Sequence, residues 1–326
     1  MTATRLLSGS TEEGLDAAVE ILVSGGVVAL PTETVYGLAA DAGNESAVHK
    51  IFASKGRPTT HPLIAHVADP AHARVLAADW PASAELLAEA FWPGPLTLLV
   101  EKSDAVPSAV TGGRSTVAIR VPAHPIMLQL LSRLHEKGVI GLAAPSANRF
   151  GSISPTSAQH VLDDLDGLID AVLDGGECNV GVESTIIDCT NDPLRVLRPG
   201  GVPTERIEAV LKASSLDLVE SFDTATDKTE AIAPGMLESH YAPESRLEIF
   251  ETEEQMHARL SELNAEGSRC VVLPHPTNVD DYSRTLYANL RVCDVGRPDV
   301  ILAVLPAAVG LGVAIRDRLR KASAAR

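Results

Sequence analysis

Short apolar runs that alternate with helical patterns constrain this chain more than any other feature. The runs VVALP (27–31), LIAHV (63–67), LTLLVE (96–101), TVAIRV (116–121), VIGLAA (139–144), STIIDC (184–189) and LRVLRP (194–199) have the length and composition of strands. Helical patterns at 45–54, 82–91, 125–137 and 155–165 separate many of them. A further helix is predicted in STEEGLDAAVEILVSGG, where Ser10 and Glu13 have capping-box spacing. It places Leu15, Ala18, Val19 and Leu22 on one face and stops at Gly25 and Gly26. The pattern predicts an α/β domain over 1–212.

From Ser214 to Ala233 the chain is polar, acidic and weakly periodic, as a linker is. The linker is expected over 213–244. RLEIF, EEQMHARLSELNAEG, SRCVVLP, DYSRTLYANLR, DVILAVLP and AAVGLGVAIRDRLRKASA then alternate strand and helix. That order predicts a small parallel α/β lobe over 245–326.

Several function classes drop out on composition. No apolar run reaches the roughly 18 to 20 residues of a membrane helix, and the N-terminus lacks a basic stretch followed by an apolar core. A cytoplasmic protein with no membrane partner is expected. The cysteines Cys178, Cys189, Cys270 and Cys293 form no CxxC pair, and the histidines form no HExxH or HxH cluster, so no metal site is expected. A net charge of −16 argues against a protein that coats nucleic acid, because such binding rests on many Lys and Arg contacts to phosphate. Any anion site must be a local concentration of cations.

Neither GxxxxGK[ST] nor GxGxxG occurs. Lys55 and Arg57 flank Gly56 where the 45–54 helix should give way to extended chain ahead of Pro58. Alternation would turn both side chains to one side, where they could hold a polyphosphate; a solvated basic turn would look the same. LAAPSANRFGSISPTSA (142–158) gathers Ser146, Asn148, Ser152, Ser154 and Thr156 behind an apolar strand. It reads as a phosphate or ribose cradle, or as a Ser/Asn turn into a helix capped near Pro155. Thr32, Glu33, Thr34 and Tyr36 follow the first strand and could bind a small polar substrate or simply form a turn. Thr116 and Arg120 share a strand face; Arg120 could fork onto a substrate carboxylate, or be buried against an acid such as Glu183. Ser184 and Arg198 stand at the ends of further strands, a spread that suits a cleft.

Taken together, Lys55 with Arg57 and Ser146 with Asn148 match the KxR and SxN signature of the YrdC-like family. The resemblance runs through PTETVYGL, RPTTHPLIAHV, FWPGPLTLLV, STVAIRVPAHP, APSANRFGSISPTSA and GVESTIID to VLRPGG, covering 12–212 in order. APGMLESHYAPESRLEIF and GVAIRDRLRKA resemble the linker and appended lobe of the family's longer form, the two-domain L-threonylcarbamoyladenylate synthases. This implies a twisted mixed-sheet domain with an open cleft, then a linker and a small Rossmann-like domain. It also implies a reaction in which L-threonine, bicarbonate and ATP give threonylcarbamoyl-AMP and pyrophosphate, with Mg²⁺ travelling on the ATP phosphates.

By motif position, the resemblance puts Thr34, His66, Arg120, Ala144 and Ser184 around threonine. Arg57, His61, Thr116, Ser146, Ser154, Arg198 and the linker's Tyr241 go to ATP, and Lys55 and Asn148 complete the catalytic signature with Arg57 and Ser146. Tyr241 in SHYAP resembles a segment that folds over the site. The product would pass to a separate tRNA threonylcarbamoyl transferase, without stable tRNA binding. A carbamoyl-adenylating carbamoyltransferase and an RNA-binding module are the competing readings.

Overall fold

The computed structural model describes residues 3–220, 233–234 and 241–324. The linker expected over 213–244 therefore falls partly outside the described residues, at 221–232 and 235–240, as do positions 1–2 and 325–326.

The first eleven strands are β1 (Arg5–Ser8), β2 (Val28–Leu30), β3 (Gly37–Asp41), β4 (Ile64–His66), β5 (Leu96–Glu101), β6 (Thr116–Arg120), β7 (Leu142–Ala143), β8 (Ala171–Asp174), β9 (Thr185–Asp188), β10 (Leu194–Arg198) and β11 (Leu218–Glu220). They form one mixed sheet in the order β1-β8-β2-β3-β7-β4-β6-β5-β9-β10-β11. Two sets of buried apolar residues belong to this sheet and its helices, one around Leu38, Ile51, Leu98 and Val196, the other around Leu15, Leu22, Leu130 and Leu173. Strands that are buried throughout, such as β2, need this cover on both faces.

Three more strands, β12 (Arg246–Phe250), β13 (Cys270–Val272) and β14 (Val300–Val304), make a separate parallel sheet in the order β12-β14-β13. The expected α/β class, with a mixed sheet and a small parallel lobe, is what the chain adopts. The lobe is also docked: Tyr282, Leu286, Tyr287, Ile315 and Leu319 share one apolar core with Val35, Ile153 and Val182 of the first domain.

Several local expectations need correction. Leu218–Glu220, within the stretch read as linker, pairs in parallel with β10 and widens the large sheet beyond residue 212. Leu218 packs on the sheet's core, which the surrounding polarity of the sequence obscured. The helix Glu12–Val23 is capped by Thr11, whose hydroxyl accepts from Gly14 N at 3.2 Å. The Ser10 hydroxyl instead lies 2.9 Å from that of Ser8, so the Ser10–Glu13 box does not form. The helix expected from 155 runs over Ala158–Leu165 and is capped by Ser157. Pro155 lies outside it, its carbonyl accepting from Tyr36 N at 2.9 Å. Of VIGLAA, only Leu142 and Ala143 pair as strand.

Candidate active site

The sheet's central strands and their following loops enclose a cavity of about 50 Å³. Thr34, His66, Arg120, Ala144 and Ser184, the residues expected around threonine, all contribute to its wall. So do Arg57, Ser146, Arg198 and Tyr241 from the set expected around ATP. Lys55, His61, Thr116, Asn148 and Ser154 do not line it. They stand behind the wall or, in the case of Thr116, at the opposite end of β6 from Arg120.

Arg120 ends β6 with one donor of each guanidinium nitrogen engaged. Its Nε donates to Gly94 O at 3.2 Å, Nη1 to Thr34 Oγ1 at 2.9 Å and Nη2 to Glu33 Oε1 at 2.6 Å. The acid that balances it is thus Glu33, not Glu183. Thr34 is held in turn by Thr32, whose hydroxyl lies 2.8 Å away. His66, the register partner of Arg120 on the neighbouring strand, is 3 % exposed, with Nδ1 3.2 Å from Ile64 O. Burial, reinforced by the neighbouring Arg120 charge, pushes its pKa down to about 3, so it faces the cavity as a neutral imidazole.

Lys55 and Arg57 do not act as a symmetric pair. Lys55 is still the last residue of the helix Glu45–Lys55, and Gly56 then turns the chain through a left-handed conformation (φ 65°) that a side chain would disfavour. The two side chains therefore part. Lys55 Nζ donates to Ser146 O at 2.5 Å and to Asn148 O, stapling the loop that carries both residues. Asn148 Nδ2 closes the same loop through Arg149 O at 2.8 Å and Ser152 O at 2.7 Å. Burial, with the Arg57 charge added, holds the Lys55 ammonium well below its usual pKa. Arg57 turns to the cavity instead, donating to Pro62 O at 3.0 Å, with its guanidinium 5.7 Å from the centre of the Phe150 ring. His61 meets the same ring edge-on at 5.4 Å.

The opposite wall is built around Glu183. Its carboxylate accepts from Ser154 Oγ at 2.7 Å, from Tyr287 OH at 2.9 Å and from Arg318 Nε at 2.6 Å. Burial opposes its ionisation, but Arg318, Arg198 and these hydrogen bonds bring its pKa down to about 2. Arg198 donates through Nη2 to Ser184 O (2.8 Å) and Oγ (3.1 Å), and through Nη1 to Pro234 O (3.0 Å). Pro234 and Tyr241 close this side of the cavity.

Sequence reasoning missed the parts of this wall that come from the lobe. Arg318 had a visible signal: in the helix Leu311–Ser323 it shares the buried stripe of Ala314, Ile315, Leu319 and Ala322. A charge in an apolar stripe needs a buried partner, although nothing in the linear pattern says which.

Among the described residues, no three His, Cys, Asp or Glu side chains stand together as metal ligands. Among the described residues the cavity wall holds three guanidiniums, those of Arg57, Arg120 and Arg198, against the single carboxylate of Glu183. Arg57 and Arg198 have no salt-bridge partner among the described residues, their donors going to backbone carbonyls and the Ser184 hydroxyl.

Comparison with known proteins gives the family. A family model for Sua5/YciO/YrdC proteins, described as telomere recombination, matches residues 20–200. A second, described as the threonylcarbamoyl-AMP synthase C-terminal domain, matches 202–324. This chain belongs to the Sua5/YciO/YrdC family. It has the family's two-domain form. The threonylcarbamoyl-AMP synthase of Pyrococcus abyssi is 44 % identical, over 94 % of this chain and 93 % of that protein. That of Bacillus subtilis is 41 % identical, over 95 % and 92 %. The crystal structure of P. abyssi Sua5 complexed with L-threonine superposes with a TM-score of 0.89 at 41 % identity, covering 99 % of this chain and 98 % of that one.

Proposed function

We propose that this protein is a threonylcarbamoyl-AMP synthase, joining L-threonine, bicarbonate and ATP with release of pyrophosphate. The observation that carries the reading is the excess of guanidinium charge around a cavity in a two-domain Sua5/YciO/YrdC chain. Threonine lies with its carboxylate toward Arg120, among Thr34, His66, Ala144 and Ser184. Its amine attacks the carbon of bicarbonate, losing a proton, and water departs to leave a carbamate. A carbamate oxygen then attacks the α-phosphorus of ATP; the bond from that phosphorus to the bridging oxygen breaks and pyrophosphate leaves. Such chemistry depends on positioning and charge neutralisation rather than a covalent protein nucleophile.

Arg57 and Arg198 supply that neutralisation, each engaged by backbone carbonyls rather than acids. Ser146 contacts the nucleotide directly. Lys55 and Asn148 act by holding the loop that presents Ser146. His61, Thr116 and Ser154 serve the nucleotide from outside the present cavity wall. Mg²⁺ arrives on the ATP phosphates, whose oxygens are its preferred ligands. A cavity of about 50 Å³ is well short of the roughly 300–1,000 Å³ of pockets for larger ligands, so Pro234 and Tyr241 shift to admit ATP. Their return excludes water from the carbamate and the mixed anhydride.

The product goes to a separate tRNA threonylcarbamoyl transferase, in the cytoplasm. Among the described residues no helix is long and apolar enough to cross a membrane.

The test is pyrophosphate release by the purified chain with threonine and bicarbonate each supplied or omitted. Release should require both and fall sharply in Arg57→Ala. Release independent of threonine would reject the assignment.

A further inference from the structure

We propose that Arg318, carried by the small lobe, is a positioning residue of the nucleotide site: by balancing the charge of Glu183 it leaves Arg198 free for ATP. The proposal rests on the function proposed above, because it needs Arg198 to serve the nucleotide.

Glu183 is a cavity-wall residue that is 6 % exposed, so its charge must be met by protein groups. Two cations act on it. Arg318 does so directly, through the 2.6 Å bond from Nε, and its guanidinium is wholly buried. Arg198 acts on it through space, while its own donors go to Ser184 and Pro234. Without Arg318, the buried carboxylate would still have Arg198, a guanidinium of the same cavity wall, acting on it. The Coulomb attraction in a dry site would draw the Arg198 guanidinium across and neutralise it. An arginine paired in that way no longer presents charge to a phosphate.

Arg318 is itself placed by groups from both domains. Nη2 donates to Pro199 O at 3.0 Å, next in sequence to Arg198, and Nη1 donates to Asp317. The guanidinium lies 5.1 Å from the Tyr241 ring centre, and Tyr241 stacks on Tyr287, the other lobe residue that bonds Glu183. The lobe is thus a structural part of the nucleotide site.

The test uses the full chain, with calorimetry of a non-hydrolysable ATP analogue beside steady-state KM values for ATP and threonine. Arg318→Met should weaken analogue binding and raise the ATP KM by at least about tenfold, as loss of a charge-assisted contact does, with a smaller change in the threonine KM. Arg318→Met combined with Glu183→Gln removes the charge that would capture Arg198, and should recover most of the lost ATP affinity. Arg318→Lys keeps a positive charge and should bind the analogue nearly as wild type, which decides the matter if the Met variant does not fold. Equal losses for ATP and threonine without recovery in the double variant, or a Lys variant as weak as Met, would overturn the proposal. Failure of the wild type to release threonine-dependent pyrophosphate would instead reject the function on which it rests.

Discussion

The cavity wall and the lobe surface handle charge in opposite ways. In the sheet domain the buried guanidiniums of Arg57 and Arg198 are hydrogen-bonded to backbone carbonyls, which fix their direction without cancelling their charge. In the lobe, cations such as Arg259, Arg284 and Arg316 sit at or near the surface against Glu248, Asp281 and Glu251. Exposed pairs of that kind contribute about 0–1 kcal/mol and leave no field for a ligand. Carbonyl-held cations cost desolvation, but they arrive at the cavity still charged. The difference sets the cavity apart independently of any motif, and among the described residues Arg318 is the wholly buried lobe cation that bonds Glu183 in its wall.

The sharpest break of this comparison is at Arg120, the cavity guanidinium that does have an acid partner. Arg120→Ala strands the Glu33 carboxylate in a buried position, and should lower unfolding free energy in urea by about 3–5 kcal/mol together with loss of threonine binding.

Next comes the pH dependence of Glu183. Its carboxyl sits at about 2 in the folded chain, below the roughly 4.3 of a free glutamate. A depressed carboxyl pKa stabilises the fold above the unfolded value. That contribution, on the order of 2–3 kcal/mol, should be lost as pH falls from about 4.3 to about 2. Thermal unfolding across this window should show a slope that Glu183→Gln flattens.

Lys55→Met should leave the Ser146 and Asn148 carbonyls bare, costing about 1–3 kcal/mol for each. Pyrophosphate release should fall without recovery at saturating ATP, whereas Arg57→Ala should respond to added ATP. Identical behaviour of the two variants would erase the distinction between a cation that staples a loop and one that meets the ligand.

Gly37→Ala probes the cavity wall itself. The added Cβ would stand 3.2 Å from that of Ala144, a crowding that should raise the threonine KM severalfold with a stability cost below about 1.5 kcal/mol. The smallest effect belongs to the lobe surface. Arg284→Ala removes an exposed pair with Asp281 and should shift stability by no more than about 0.5 kcal/mol, with pyrophosphate release unchanged.

Much of this architecture was legible along the chain. Runs such as LTLLVE and TVAIRV became β5 and β6 because their length and apolar content permit little else in a domain rich in helices. The helix Glu45–Lys55 is delimited locally, by the Asn44 cap and by Gly56. Local rules failed where a side chain had two comparable local uses, as at Ser10, or where a polar setting hid one apolar contact, as at Leu218.

The motifs also brought Thr34, His66, Arg120, Ala144 and Ser184 to one list before any fold was known, and the fold puts all of them on one cavity. Partners were another matter. Arg120 shares a cavity wall with Glu183 yet pairs with Glu33; Glu183 takes Arg318, more than a hundred residues further along the chain.

By itself, then, the sequence determined the kinds of element, their order and the residue types available for anion chemistry, because those depend on periodicity, caps and composition within a few positions. Only the tertiary structure decided which cation meets which acid, that Lys55 and Arg57 part company, and that lobe residues bond a carboxylate of the cavity wall. Buried charges take partners by distance in three dimensions, and Glu183 and Arg318 become neighbours only when the two domains pack on a common core.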